Sequence, residues 1–161
     1  RKTARHRLRL CGNVAALMKG ESEMNRTELC ELAVKAKDNA YTPYSGFKVG
    51  AALMCRSGRV FTGCNIENAS YTPTVCAERT AVFKAVSEGE TEFEMLAVCG
   101  GRDGIISGMF PPCGVCRQVL AEFCPPEFPI IIMTSENTFK ELTLEELLPF
   151  SFNPEYMNTE D

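Results

Sequence analysis

The 161-residue chain holds one histidine and no tryptophan. The histidine is His6, so none is available to a site in the body of the chain. A metal centre there has to be built from thiolates, carboxylates or both. No apolar run approaches the roughly 20 residues that a membrane-spanning helix needs. No apolar block of about 7–15 residues follows the basic start, so a secretory signal is not expected. Repeats and low-complexity tracts are also missing. Basic charge is scarce outside the start. Residues 1–24 contain six basic residues (Arg1, Lys2, Arg5, Arg7, Arg9, Lys19) against Glu21 and Glu23, which leaves 11 basic and 19 acidic residues in the rest. A body this acidic repels a polyphosphate backbone, which argues against a nucleic acid partner.

What is present is ordinary for one globular domain. The length suffices for a single core but not for two, and 45% apolar with 24% charged residues fits that class. Nine cysteines are many for this length, and an odd number cannot all pair within one chain. The chain is too large and apolar to depend on a disulfide framework. Reduced cysteines are expected, some binding metal and the rest packing as small hydrophobes, which suits a cytoplasmic protein. Residues 1–24 read as an unstructured basic leader, an upstream extension or a targeting segment, and 25–161 as the domain.

Helical spacing of Leu29, Leu32, Ala33 and Ala36, with Asn25 and Glu28 as a capping box, predicts a helix over 27–39. Residues 41–46 read as a loop. Two strands, 47–56 and 59–67, flank a Ser57-Gly58 turn. A helix is expected from Pro73-Thr74 to Gly89, a strand over 93–99, a glycine-rich loop over 100–108 and a helix over 113–123. An apolar strand at 129–133, a last strand at 139–142 and a short helix at 143–148 complete the order. This succession predicts an α/β fold, a three-layer α/β/α sandwich around a mixed sheet.

Two short segments carry the chemistry: Cys76-Ala77-Glu78-Arg79 and Pro112-Cys113-Gly114-Val115-Cys116-Arg117. Both fall at an expected helix start, where free amides and the macrodipole favour anions and lower thiol pKa values. Cys113 and Cys116 share one side of a first turn. Cys76, from the other helix start, can complete a three-thiolate face. Three ligands leave a fourth tetrahedral position for water, as catalytic zinc requires; structural zinc is closed by four. Glu78 is near enough to act as general acid and base without ligating. Taken alone, the Cys113–Cys116 pair is also compatible with a structural zinc clip closed by Cys64, Cys99 or Cys124, or with a redox pair. The joint pattern, C-A-E followed about 35 residues later by P-C-x-x-C, matches the established signature of zinc-dependent deaminases.

At these residues the chain resembles the small homotetrameric cytidine deaminases. The likeness runs from about Thr27 to Met157 and includes Phe47-Lys-Val-Gly-Ala-Ala52, Gly63-Cys-Asn65-Ile-Glu67-Asn-Ala69 and Leu147-Leu-Pro-Phe-Ser-Phe152. Polynucleotide-editing, deoxycytidylate, guanine and tRNA adenosine deaminases share the signature but place histidine where this chain has Cys76. The loop Gly100–Pro111 is longer and richer in glycine than the resemblance leads one to expect.

The resemblance implies one zinc per chain on Cys76, Cys113 and Cys116, with Glu78 catalytic. It implies a substrate site using Phe47, Asn65, Glu67, Tyr71, Ala77 and Phe152. Asn65 and Glu67 alternate along a strand end and face one way, which suits either a sugar's hydroxyls or a plain solvated edge; the resemblance assigns them the ribose 3′-hydroxyl. Phe47 would face the base, and Tyr71 and Phe152 would reach a neighbouring subunit's pocket. The implied reaction is hydrolytic deamination of cytidine and deoxycytidine to uridine and deoxyuridine, releasing ammonia, in pyrimidine salvage. On this resemblance a zinc-bound hydroxide would attack while Glu78 shuttles the proton. Three thiolates on a divalent zinc leave a negative charge that a cation should offset. Arg79 is expected to donate to a thiolate sulfur, the alternatives being a solvated residue or an ion-pair partner of Glu67. Rival functions are a non-catalytic zinc module and a polynucleotide-editing deaminase.

Overall fold

A computed structural model describes residues 25–157. The basic leader lies outside the described residues. In chain order the elements are α1 (Arg26–Lys37), β1 (Phe47–Cys55), β2 (Val60–Cys64), α2 (Ala77–Ser87), β3 (Phe93–Arg102), α3 (Gly114–Phe123), β4 (Pro129–Met133), β5 (Phe139–Thr143) and α4 (Leu144–Leu147), followed by a 3₁₀ turn at Pro154–Met157.

The capping box forms as expected. Asn25 Oδ1 accepts from the Glu28 amide at 3.0 Å, and Glu28 Oε2 accepts from the Asn25 amide at 2.9 Å. The five strands lie in the order β2-β1-β3-β4-β5. Only the β3–β4 pair is parallel, its crossover running through α3; the other neighbours are antiparallel. The sheet is therefore mixed, and both its faces are covered. Because side chains alternate along a strand, Ala51 and Leu53 of β1 join Leu96, Val98, Ile130 and Ile132 beneath α2 and α3. The intervening Ala52 and Met54 join Ala97 and Ile131 beneath Leu29 and Ala33 of α1. Burial on both sides explains why β4 reads as a continuous apolar run. This is the expected three-layer sandwich.

The three boundaries that differ most from the sequence reading do so for local reasons. β2 stops at Cys64 because Ile66 leaves the sheet to bridge Tyr41 and Val75. That bridge keeps Val75 extended, so α2 begins at Ala77 rather than near Pro73. β3 runs through Gly100 and Gly101 to Arg102, because β1 supplies a partner at each step through Val49, Lys48 and Phe47.

The feature that positions the site is the closeness of α2 to β2. A Cβ placed on Gly63 would lie 2.3 Å from the Ala77 carbonyl oxygen and 2.5 Å from the Ala81 nitrogen. The first turn of α2 rests directly on the strand backbone, and a hydrogen bond from Thr80 Oγ1 to the Cys64 carbonyl (3.1 Å) holds it there.

Candidate active site

Helix N-caps are ordinarily Ser, Thr, Asp or Asn, whose side chains bond the free amides. Here both α2 and α3 are capped by cysteine. Cys76 caps α2 and Cys113 caps α3, each with extended backbone and no side-chain cap bond. Their sulfurs are therefore not spent on capping the helix amides. Cys116, in the first turn of α3, is buried. Because α2 and α3 pack in one layer, the two helix starts converge.

The three sulfurs form one group. Cys76 Sγ and Cys113 Sγ are 3.7 Å apart, Cys113 Sγ and Cys116 Sγ 3.5 Å, and all lie within 4.8 Å of one another. Tetrahedral zinc with Zn–S bonds of ~2.3 Å needs sulfurs about 3.8 Å apart, so the group fits the metal. Among the described residues no fourth histidine, cysteine, aspartate or glutamate belongs to it. Cys64, Cys99 and Cys124 are thus not the closing ligand of a structural site. Interaction with Cys116, reinforced by Arg79 and Cys113, holds the Cys76 thiol down at about 5, while the same interaction and burial push Cys116 upward.

Glu78 is one of two buried charged side chains among the described residues, the other being Lys37. Burial, with the Cys76 thiolate adding to it, pushes its carboxyl up to about 7. A carboxyl poised there can both take and give a proton near neutral pH. Arg79 donates from Nη2 to the Thr74 carbonyl at 3.2 Å and to Cys76 Sγ at 3.6 Å, and its buried Nε has no partner. Its ion-pair alternative is not realised, since the Glu67 carboxylate accepts from Ser45 Oγ and from the Tyr44 and Ser45 amides at 2.9 and 3.2 Å.

Asn65 lies just past β2. Its Nδ2 donates to the Phe47 carbonyl at 2.9 Å, and its Oδ1 accepts from the Val49 amide at 2.8 Å. The Phe47 amide donates to Ser45 Oγ at 3.0 Å, so Phe47, Asn65 and Glu67 form one hydrogen-bonded cluster. Asn65 and Glu67 thus brace the chain around Phe47, a role the alternation along the strand did not reveal. Ala77 is fully buried at the start of α2. Tyr71 and Phe152 are largely exposed; their ring contacts are to Tyr44 at 6.1 Å and Tyr156 at 5.7 Å.

Arg117, at the end of the second sequence segment, and Gln118 next to it carry structural roles that spacing alone did not indicate. Arg117 Nε donates to the Pro112 carbonyl and Nη1 to the Leu147 carbonyl, each at 2.6 Å, fastening the segment before Cys113 to α4. Gln118 Nε2 donates to the Phe152 carbonyl at 2.8 Å and ties the tail to α3.

Residues 23–132 match the family model for the cytidine and deoxycytidylate deaminase zinc-binding region. The chain is similar to a cytidine deaminase of Halalkalibacterium halodurans, with 47% identity over 135 residues, covering 84% of this chain and 99% of the relative. It is similar to a cytidine deaminase of Sporosarcina psychrophila, with 46% identity over 132 residues, covering 82% and 94%. The crystal structure of cytidine deaminase from Burkholderia pseudomallei superposes with a TM-score of 0.74 at 43% identity, covering 80% of this chain and all of that one.

Proposed function

The chain belongs to the zinc-dependent cytidine and deoxycytidylate deaminase family, and on that premise we propose that it hydrolyses the free nucleosides cytidine and deoxycytidine, in pyrimidine salvage. It is a deaminase hydrolase. Water is added at the amino-bearing ring carbon, the carbon–nitrogen bond breaks, and ammonia leaves with the proton it needs.

The observation that carries this reading is Glu78, buried two residues from Cys76 beside a three-sulfur group that no fourth residue closes. Cys76, Cys113 and Cys116 would hold one zinc ion, which when bound supplies Lewis acidity toward a water nucleophile. The Glu78 carboxylate takes the proton of that water and delivers it to the ring nitrogen beside the reacting carbon. It then takes the second proton of the added water from the hydroxyl on the reacting carbon and gives it to the departing amino group, so one residue serves as base and then as acid.

Phe47 faces the base, Ala77 lies at the pocket wall, and Asn65 and Glu67 hold the sugar. Their bracing of the Phe47 segment supports a preorganised sugar edge. The active form is a homotetramer in which Tyr71 and Phe152 reach a neighbour's pocket; the exposure of both rings supports this. A cytoplasmic location accords with eight free cysteines among the described residues. No helix of the described residues is long and apolar enough to cross a membrane.

The test is to mix zinc-loaded protein with cytidine and follow the ultraviolet change to uridine. Glu78→Gln should keep zinc and nucleoside binding and lose ~10²–10⁴ in turnover. A zinc-loaded, folded protein that leaves cytidine unconverted overturns the proposal.

A further inference from the structure

The loop between β3 and α3, longer than the family resemblance leads one to expect, is fastened at several points. Asp103 and Gly104 turn it with positive φ values of 53° and 78°. The Ile105 amide donates to the Arg102 carbonyl at 2.9 Å, and the Ser107 amide to the Gly100 carbonyl at 3.3 Å. Ile106 is buried in the core under α1. The buried Lys37 ammonium, at the end of α1, donates to the Gly104 carbonyl. The loop then delivers Phe110 onto Phe47, with ring centroids 4.8 Å apart and planes at 75°. This edge-to-face arrangement is the favoured one for two aromatic rings.

Phe47 is bounded on a second side by Gly100, where an added Cβ would lie 3.0 Å from its Cε1. Its backbone is fixed by Asn65 and Ser45. Its ring is therefore set between a glycine and the Phe110 ring. Phe110 itself is 40% exposed, more than a ring placed only to fill the core. From Phe110 the chain passes through Pro111 and the buried Pro112 to the ligand Cys113, and prolines hold that span to a narrow backbone range.

We propose that Phe110 is a positioning residue for the nucleoside: through its edge contact it holds the Phe47 ring in the plane against which the pyrimidine packs. This rests on Phe47 as the base-facing aromatic. A free Phe47 ring would lose rotamer freedom on binding, whereas a ring already held does not. Phe110 touches no reacting atom. Its loss therefore weakens substrate and transition state alike, raising KM while leaving kcat in place.

The experiment measures KM and kcat for cytidine in the zinc-loaded full chain. Phe110→Ala and Phe110→Leu should raise KM roughly three- to tenfold with kcat within about twofold of the parent. Phe110→Tyr, which keeps the ring, should retain the parent KM. In a Phe47→Leu background, where KM is already raised, Phe110→Ala should add nothing further, because the two residues act as a unit. If Phe47→Leu leaves KM unchanged, Phe47 does not face the base, and the role of Phe110 falls with it. If Phe47→Leu raises KM while Phe110→Ala does not, or if their effects multiply in full, Phe47 keeps its role and the positioning by Phe110 is refuted.

Discussion

Arg79 reaches back across the first turn of α2 to the sulfur of Cys76, with Nη2 3.6 Å from Sγ while it also donates to the Thr74 carbonyl. A sulfur that accepts a hydrogen bond from a cation donates less charge to a metal. With a metal held by three thiolates and no neutral imidazole, that moderation would matter more than usual. Arg79→Gln should fold and should lose activity by roughly 10–100-fold, the usual cost of removing a group that orients a ligand. Adding Cys76→His to Arg79→Gln should recover part of the loss, because a neutral ligand removes one negative charge. Unchanged rate and unchanged zinc content in Arg79→Gln would show that the contact is incidental.

The sulfur spacing leads to a second expectation. Metal analysis of the purified protein should give one zinc per chain. Alanine at Cys76, Cys113 or Cys116 should remove zinc and activity together. Because the metal binds the folded site, chelation should lower the melting temperature and added zinc should restore it. Full activity in a metal-free preparation would contradict the assignment of these sulfurs.

Much of this site was legible because its residues cluster along the chain. Cys76, Glu78 and Arg79 fall within one turn, and Cys113 and Cys116 within another; spacing by three puts Cys113 and Cys116 on one side, while Glu78 is near Cys76 simply because it is two residues away. The layers followed from the succession of helices and strands along the chain. What escaped notice depends on contacts between distant segments. Asn65 and Glu67 lie past the end of β2 rather than on it, and their polar atoms also bond Phe47, Val49 and Ser45, which no local pattern reports. Lys37 looks like an ordinary end-of-helix lysine, and only the fold shows that it is buried against Gly104. Gly100 and Gly101 suggest a loop by composition, yet pairing with β1 overrides that local tendency.

Gly63 gives a test of how the fold positions the chemistry. Its missing side chain allows the Ala77 carbonyl and Ala81 amide to sit on β2, which sets the height of Cys76 and Glu78 over the sheet. In Gly63→Ala the obstructing atoms are helix backbone, which cannot rotate away. Overpacking of this kind costs about 1–3 kcal/mol. The helix start should shift with it, so zinc affinity and turnover should fall at temperatures where the protein is still folded. Thermal melting and metal titration read the two effects separately. A variant with parent stability and parent zinc affinity would show that α2 is free to slide.

Glu67 provides the pH dependence. The Ser45 hydroxyl, with the Tyr44 and Ser45 amides, holds its carboxyl below the ordinary carboxylate range. A group whose folded pKa is depressed binds protons more readily when unfolded. Its contribution to stability is therefore complete above the unfolded pKa of about 4.3, and it is lost as the pH falls through the lower folded value. Glu67→Gln cannot ionise and accepts those bonds only as a neutral amide. At pH 7 the parent should melt at the higher temperature. As the pH is lowered from about 6 to about 3, the gap between parent and Glu67→Gln should narrow, because the parent carboxylate becomes protonated and its charge-assisted bonds weaken. Circular dichroism melts suit this chain, which has no tryptophan to report unfolding. A gap of constant size across that range would mean that the Glu67 charge contributes nothing to holding the 44–47 segment. Its effect would then be one of shape alone.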